Sequence, residues 1–261
     1  MDIKILVAMH KPAWHPRDSV YYPIHVGAGG KEPIEGIASD NTGENISQKN
    51  ASFCELTGLY WAWKNLQCDY IGLCHYRRYF GHFILPNASV EKKKQSIFSQ
   101  RDYESLLKKY DVILPTKWIH TRENVKEHYA KYHREMDLLH VRNVIMQLHP
   151  EYGASFDMVM DKHSQHVYNM FVMQKAKFDS YCEWLFSILF KVEQESDITN
   201  YDEYQARVYG FLAERLLDVW MLNQNLRTTE AHVVFLGEEH QSILKVIKEQ
   251  IRLKIWNILK L

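Results

Sequence analysis

The chain has 261 residues, with 32 lysines and arginines against 32 aspartates and glutamates; 46% of the residues are hydrophobic and 13% aromatic. A disordered chain would carry fewer aromatics and a more lopsided charge, and a nucleic-acid binder would need a basic face that a formal charge of zero does not offer. What remains is a folded protein long enough to bury a sizeable core without disulfide or metal staples.

In chain order, Ile3–Met9 is an apolar run that reads as an opening strand, too short and too early-charged for a signal peptide. A second strand is expected at 21–26, followed by a polar loop, 27–47, with five glycines. Over 50–66, Phe53, Leu56, Leu59, Tyr60 and Trp63 recur at three- and four-residue steps, which predicts a helix with one buried face. The apolar strand Tyr70–His75 comes next. A loop at 81–100 carrying Pro86 and the run Glu91-Lys92-Lys93-Lys94 reads as a solvated insertion. Further strands are expected at 112–114, 168–173 and 232–236. Helices are expected at 122–148, with Thr121 as N-cap and Pro150 beyond its end, at 178–192 and at 202–223. Strands alternating with helices predict an α/β layered fold with a mostly parallel sheet, in which ligands sit at the carboxyl ends of strands.

One domain is expected over 1–240. Residues 241–261 carry five basic residues, one acid, Trp256 and an apolar stripe from Ile243 to Leu259, which predicts a basic amphipathic helix. Such a helix suits an anionic membrane surface, or docking on the domain or on a second subunit. No uncharged apolar run reaches the roughly 18 residues of a membrane span. Cys54, Cys68, Cys74 and Cys182 form no CxxC pair and read as buried thiols of a cytoplasmic protein.

Walker, GxGxxG, GxSxG and HExxH signatures are absent. Two polar segments carry the chemistry instead. Asp40, Asn45 and Ser47 lie in a loop that feeds a helix N-terminus, an arrangement suited to a nucleotide or to simple turn and cap duties. At the end of Tyr70–His75, His75, Arg77 and Arg78 form a cationic group suited to forking onto a diphosphate, or to a structural arginine pair. His133, Asp137 and His140, spaced by four and three, would share a helical face if 122–148 is continuous, and mark a rival reading as a metal-dependent hydrolase.

The blocks NIS-x-x-N (Asn45 to Asn50), ELT-x-LYW-x-WKN (Glu55 to Asn65), GL-x-HYRRYF (Gly72 to Phe80), YNMF-x-M (Tyr168 to Met173), YC-x-WLF (Tyr181 to Phe186) and GFLAERLL-x-VW (Gly210 to Trp220) closely resemble a bacterial family. That family, long listed as a domain of unknown function, is assigned to capsular or exopolysaccharide glycosyltransferases and has galactofuranosyltransferase-like members. The resemblance runs from about Ile3 to Leu236. It implies a GT-A-like, Rossmann-like fold and an inverting transfer of a sugar from a UDP-sugar donor to a lipid-linked or growing glycan acceptor. The setting it implies is the inner face of the cytoplasmic membrane, in capsule, exopolysaccharide or O-antigen synthesis. It places the donor on Asp40, Asn45, Ser47, His75, Arg77 and Arg78, the general base at Glu214, and the acceptor near Asp161, His163 and Asn169. GT-A enzymes commonly end the equivalent strand in Asp-x-Asp, which holds Mn2+ or Mg2+. Here His75-Tyr76-Arg77 stands instead, so no metal ligand is assigned and arginines would replace the ion. A non-catalytic scaffold in a polysaccharide assembly complex is the second rival.

Overall fold

The computed structural model describes residues 1–237; the expected amphipathic helix at 241–261 lies outside the described residues. Strands β1 (Ile3–Met9), β2 (Tyr21–His25) and β3 (Ala38–Ser39) are followed by short α1 (Asn50–Phe53), α2 (Leu56–Asn65), β4 (Tyr70–His75) and β5 (Arg78–Gly81). Next come α3 (Val90–Ser96), α4 (Gln100–Leu107), β6 (Val112–Pro115), β7 (Trp118–Ile119), α5 (Val125–Tyr132), α6 (Glu135–Leu148), α7 (Gly153–Met160) and β8 (Ser164–Gln165). Strand β9 (Phe171–Gln174), α8 (Lys175–Glu195), α9 (Val208–Leu222) and β10 (Thr228–Phe235) complete the described chain.

The α/β class holds, but the expectation of a mostly parallel sheet does not. Strands β3, β2, β1 and β4 pair in parallel, whereas β9 runs antiparallel to both β4 and β6. Strand β6 pairs in parallel with β10, and β5 lies antiparallel to β10 and returns to β4 through the pair His75 and Arg78. The ring β4-β9-β6-β10-β5 therefore closes on itself into a barrel beside a parallel wing. The antiparallel β4–β5 turn has a local cause, since only Tyr76 and Arg77 separate the strands and two residues cannot make the long crossover that a parallel pair needs; the rest of the ring depends on the distant pairings of β9 and β10.

Period-two alternation in β1 feeds two cores. Leu6 and Ala8 join the layer formed by α2, α8 and α9, while Ile5, Val7 and Met9 face Tyr79, Tyr103 and Val172 on the other side. At Gly72 in β4 a Cβ would meet the Phe171 carbonyl at 2.6 Å, so the close approach of β9 depends on glycine there.

Several expected elements are interrupted. The helix at 50–66 breaks at Cys54, which has φ 51 and ψ −131; the Asn50 side-chain amide donates to the Cys54 carbonyl at 2.6 Å and secures the break. The helix at 122–148 breaks at His133, and its N-cap is Asn124, in a capping box with Glu127, rather than Thr121. Residues 168–173 become a strand only from Phe171, because Tyr168 (φ 74) and Asn169 (φ 53) are left-handed. The helix expected over 202–223 begins at Val208. The 81–100 loop contains α3, capped by Ser89.

Candidate functional site

Register places the ends of β1, β2 and β4 side by side: Met9 lies opposite His25, and Ala8 opposite His75. Because β9 is antiparallel, with Phe171 opposite Leu73, the loop preceding it also reaches this edge. Four chain segments thus converge where an α/β sheet binds ligands.

The first is the loop after β2. Asp40 is fully buried and accepts four hydrogen bonds, from the amides of Gly27 (2.7 Å) and Ala28 (3.0 Å), from Thr57 Oγ1 (2.5 Å) and from Ser47 Oγ. Ser47 Oγ also accepts from the Gly29 amide at 2.8 Å. Asn45 accepts from the Ser47 amide (3.2 Å) and donates to the Gly43 carbonyl (2.9 Å). Gly27 has φ 65, and a Cβ there would overlap Asn50, so glycine lets its amide turn inward to the carboxylate. The three residues read from sequence as nucleotide contacts therefore spend these groups on the loop itself and act as its internal brace.

Polar groups near this edge that sequence reading missed belong to His25, His10, Lys11 and Lys31. Both ring nitrogens of His25 are buried and lack a hydrogen-bond partner among the described residues. Burial and Lys31 hold that ring below the usual histidine range, against the pull of Asp40. Burial, followed by Lys11, Arg77, Lys31 and His25, likewise lowers His10, which sits edge-on to Tyr76 at 5.2 Å. Lys11, Arg77 and Lys31 thus surround His10 with positive charge while the two rings themselves are held toward neutral. The sequence signal was available: His10 and Lys11 immediately follow β1, and His25 ends β2.

At the end of β4 the ring of His75 donates from Nε2 to the Tyr168 carbonyl (2.7 Å). Arg77 and Arg78 diverge. The Arg77 guanidinium lies over the Tyr76 ring (5.0 Å), and that of Arg78 over Tyr168 (4.7 Å) and Phe235 (5.9 Å), as successive side chains entering a strand point to opposite faces.

The loop 166–169 is tied down from three sides. Asp218 accepts from the His166 amide (2.9 Å) and pairs with its Nδ1 (2.5 Å); one turn earlier on α9, Glu214 accepts from the Tyr168 amide (3.0 Å). Asn169 donates to Glu55 (2.7 Å) and to the Gly210 carbonyl (3.2 Å). Burial alone would lower His166, but Asp218 and then Glu230, whose carboxylate lies 3.6 Å from Nε2, raise it instead. Two adjacent non-glycine residues at positive φ cost about 1–2 kcal/mol each, and they persist because this network over-determines the loop.

Glu214 is partly exposed and its second oxygen accepts from the buried Arg215 (2.7 Å). Glu55, unremarked in the sequence, supplies a second carboxylate beside Asn169, presented by the break at Cys54. Arg207 Nε donates to Cys54 Sγ (3.3 Å). His75, Arg78, Tyr168, Asn169, Glu55 and Glu214 are thus joined through direct contacts. Asp161 and His163 are exposed; Asp161 ends α7, and His163 gives its carbonyl to the His120 amide (2.8 Å) rather than to this network.

The trio His133, Asp137 and His140 does not share a face, since the chain leaves the helix at His133 and re-enters it after Arg134. Each has its own partner: His133 faces Gln205 (3.3 Å), Asp137 accepts from Tyr201 (2.6 Å), and His140 pairs with Glu195 (3.1 Å).

The family model described as Domain of unknown function (DUF4422) matches residues 4–225. The apo structure of the WbbM bifunctional glycosyltransferase is similar at a TM-score of 0.84 and 31% identity, over 91% of this chain and 46% of that one. The chain therefore spans slightly under half the length of that relative. No curated protein matches. With its conserved-domain match covering most of its length, the chain belongs to the family described as Domain of unknown function (DUF4422).

Proposed function

We propose that this chain is a glycosyltransferase of polysaccharide biosynthesis that moves a sugar, galactofuranose being the first candidate, from a UDP-sugar to a lipid-linked or glycan acceptor with inversion. The observation that carries this reading is the correspondence over 91% of the chain with a bifunctional glycosyltransferase at a TM-score of 0.84. The converging edge supports it. Arg77, with Lys11 and Lys31, which like it act on His10, is suited to a departing diphosphate, since preorganised positive charge stabilises negative charge that grows in the transition state.

The Mn2+ or Mg2+ common in GT-A enzymes does not fit here. His75 is committed to the Tyr168 carbonyl and is followed by Tyr76 and Arg77, whereas hard divalent cations take carboxylate, carbonyl and water oxygens. The acceptor oxygen bonds to the anomeric carbon as the carbon–oxygen bond to UDP breaks; UDP leaves with the electron pair, and the hydroxyl proton passes to Glu214. That carboxylate is oriented by the Tyr168 amide and Arg215, and its oxygens keep further lone pairs for the proton.

The residues at 241–261 are proposed to hold the enzyme at the inner membrane surface. Among the described residues no helix is long and apolar enough to cross a membrane. Flotation with anionic liposomes, compared between the full chain and one ending at residue 240, tests that part; equal flotation of both refutes it.

The catalytic part is tested by titrating UDP into the protein with chelator present and by measuring UDP release from UDP-galactofuranose. Glu214→Gln should lower transfer by about 10²- to 10⁴-fold, the usual worth of a general base, with UDP affinity kept. A fully active Gln variant removes Glu214 from the mechanism, and absence of UDP binding at millimolar concentration removes the transferase reading.

A further inference from the structure

The geometry points to a divalent transition-metal site at His120, Glu123 and His128, which shares the neighbour Arg215 with the Glu214 network and whose argument does not need the transferase reading. The three residues lie within one short stretch. His120 follows β7, and Glu123 precedes the Asn124 cap of α5. His128 sits one turn into that helix, where a side chain leans back toward the N-terminus and over the loop. One imidazole nitrogen from each histidine and one oxygen of Glu123 lie within 4.8 Å of one another. Three atoms at that spacing sit about 2.8 Å from their common centre, so an inward shift of roughly 0.7 Å each reaches the ordinary 2.0–2.2 Å ligand distance. Side-chain rotation supplies such a shift without moving backbone.

Three further observations favour an ion over a simple stacked pair. His120 is buried, its ring 4.0 Å from that of His128, and Nδ1 of His128 is buried with no hydrogen-bond partner. The Gln165 amide nitrogen of β8 lies 2.9 Å from His120 Nε2 while its Oε1 is buried with no partner among the described residues; turning the amide over lets Oε1 accept from Nε2–H, the neighbour that fixes a ligating imidazole and frees Nδ1 for the ion. His128 Nε2 also lies 4.0 Å from Glu123 Oε1, so this ring and the carboxylate already face each other. Two imidazoles and one carboxylate select zinc-like borderline ions rather than magnesium or calcium, and three protein ligands leave a fourth position open. Charges opposing the ion are Arg215 and Lys131, the latter 3.2 Å from Glu123, and the site has to displace that lysine contact.

The test is titration of the untagged full chain with Co2+ and with Zn2+, read by the ligand-field spectrum of cobalt and by equilibrium dialysis. One equivalent should bind, with cobalt bands of a four- or five-coordinate site. The double variant Glu123→Gln, His128→Gln should weaken binding at least a hundredfold, whereas His140→Gln, at the unrelated Glu195 pair, should leave it unchanged. Equal affinity of the double variant and the natural chain overturns the assignment. So does the absence of low-coordinate cobalt bands from the natural chain at saturating metal, a result that does not depend on any variant folding.

Discussion

Replacing Asp40 by asparagine separates an internal brace from a ligand contact. The native carboxylate is fully buried and accepts four hydrogen bonds: two from backbone amides and two from hydroxyls. Each carboxylate oxygen takes one backbone amide and one hydroxyl; the hydroxyl beside the new amide group can reverse and accept from it, so whichever way asparagine lies one backbone amide loses its acceptor. An unsatisfied buried donor costs about 1–3 kcal/mol. At about 2–4 °C per kcal/mol for a chain of this size, a mid-range cost of about 2 kcal/mol lowers the melting temperature by roughly 4–8 °C. Urea unfolding followed by tryptophan fluorescence, with an unchanged m-value, measures the loss. UDP affinity at a temperature where the variant is folded should stay within about threefold. A stability loss below about 1 kcal/mol with UDP binding abolished would refute the brace and return Asp40 to the ligand.

Asn169→Ala should cost about 3 kcal/mol, from the lost bond to Glu55 and the left-handed backbone; Asn169→Gly should recover about 1 kcal/mol of that. Equal losses in the two variants, by urea unfolding, would mean that the backbone is not strained. His133 is held down to about 4, first by burial and then by Arg215. With a folded value below the unfolded 6.5, its contribution is present above pH 6.5 and is lost as pH falls through 4, a slope worth on the order of 3 kcal/mol. His133→Phe should keep the ring against Phe211 and flatten the fall in stability between pH 7 and 4.5; an unchanged slope would contradict this. Burial raises the Cys54 and Cys68 thiols to about 11 and lifts Cys74 and Cys182 further. A disulfide reagent at pH 8 should therefore label the buried Cys74 and Cys182 no faster than the protein unfolds and the partly buried Cys54 and Cys68 only slowly, and a rapid stoichiometric phase would count against it.

Composition and periodicity were enough for the α/β class, for β1, β4 and the long α8, and for the blocks that carry the family resemblance, because these depend on local patterning and on residues close in sequence. Glu214, His75, Arg78 and Asn169, which the sequence reading proposes for the donor and acceptor sides, are joined in the structure by contacts through Tyr168 and Asn169. The bonds that Asp40, Asn45 and Ser47 make within their own loop were not legible. A carboxylate in a glycine-rich loop looks the same in one dimension whether it faces a ligand or closes on its own amides, and only burial distinguishes the two. Helix breaks at Cys54 and His133 escaped for a related reason: neither residue is a helix breaker by propensity, and Cys54 is turned by Asn50 and Gly210 contacts brought in from α1 and α9. Glu55 becomes visible beside Asn169 only once β4, β9 and α9 are in place. The closed ring of strands is likewise a tertiary result, because pairing of β10 with β5 and β6 joins residues more than a hundred positions apart, which no local pattern encodes.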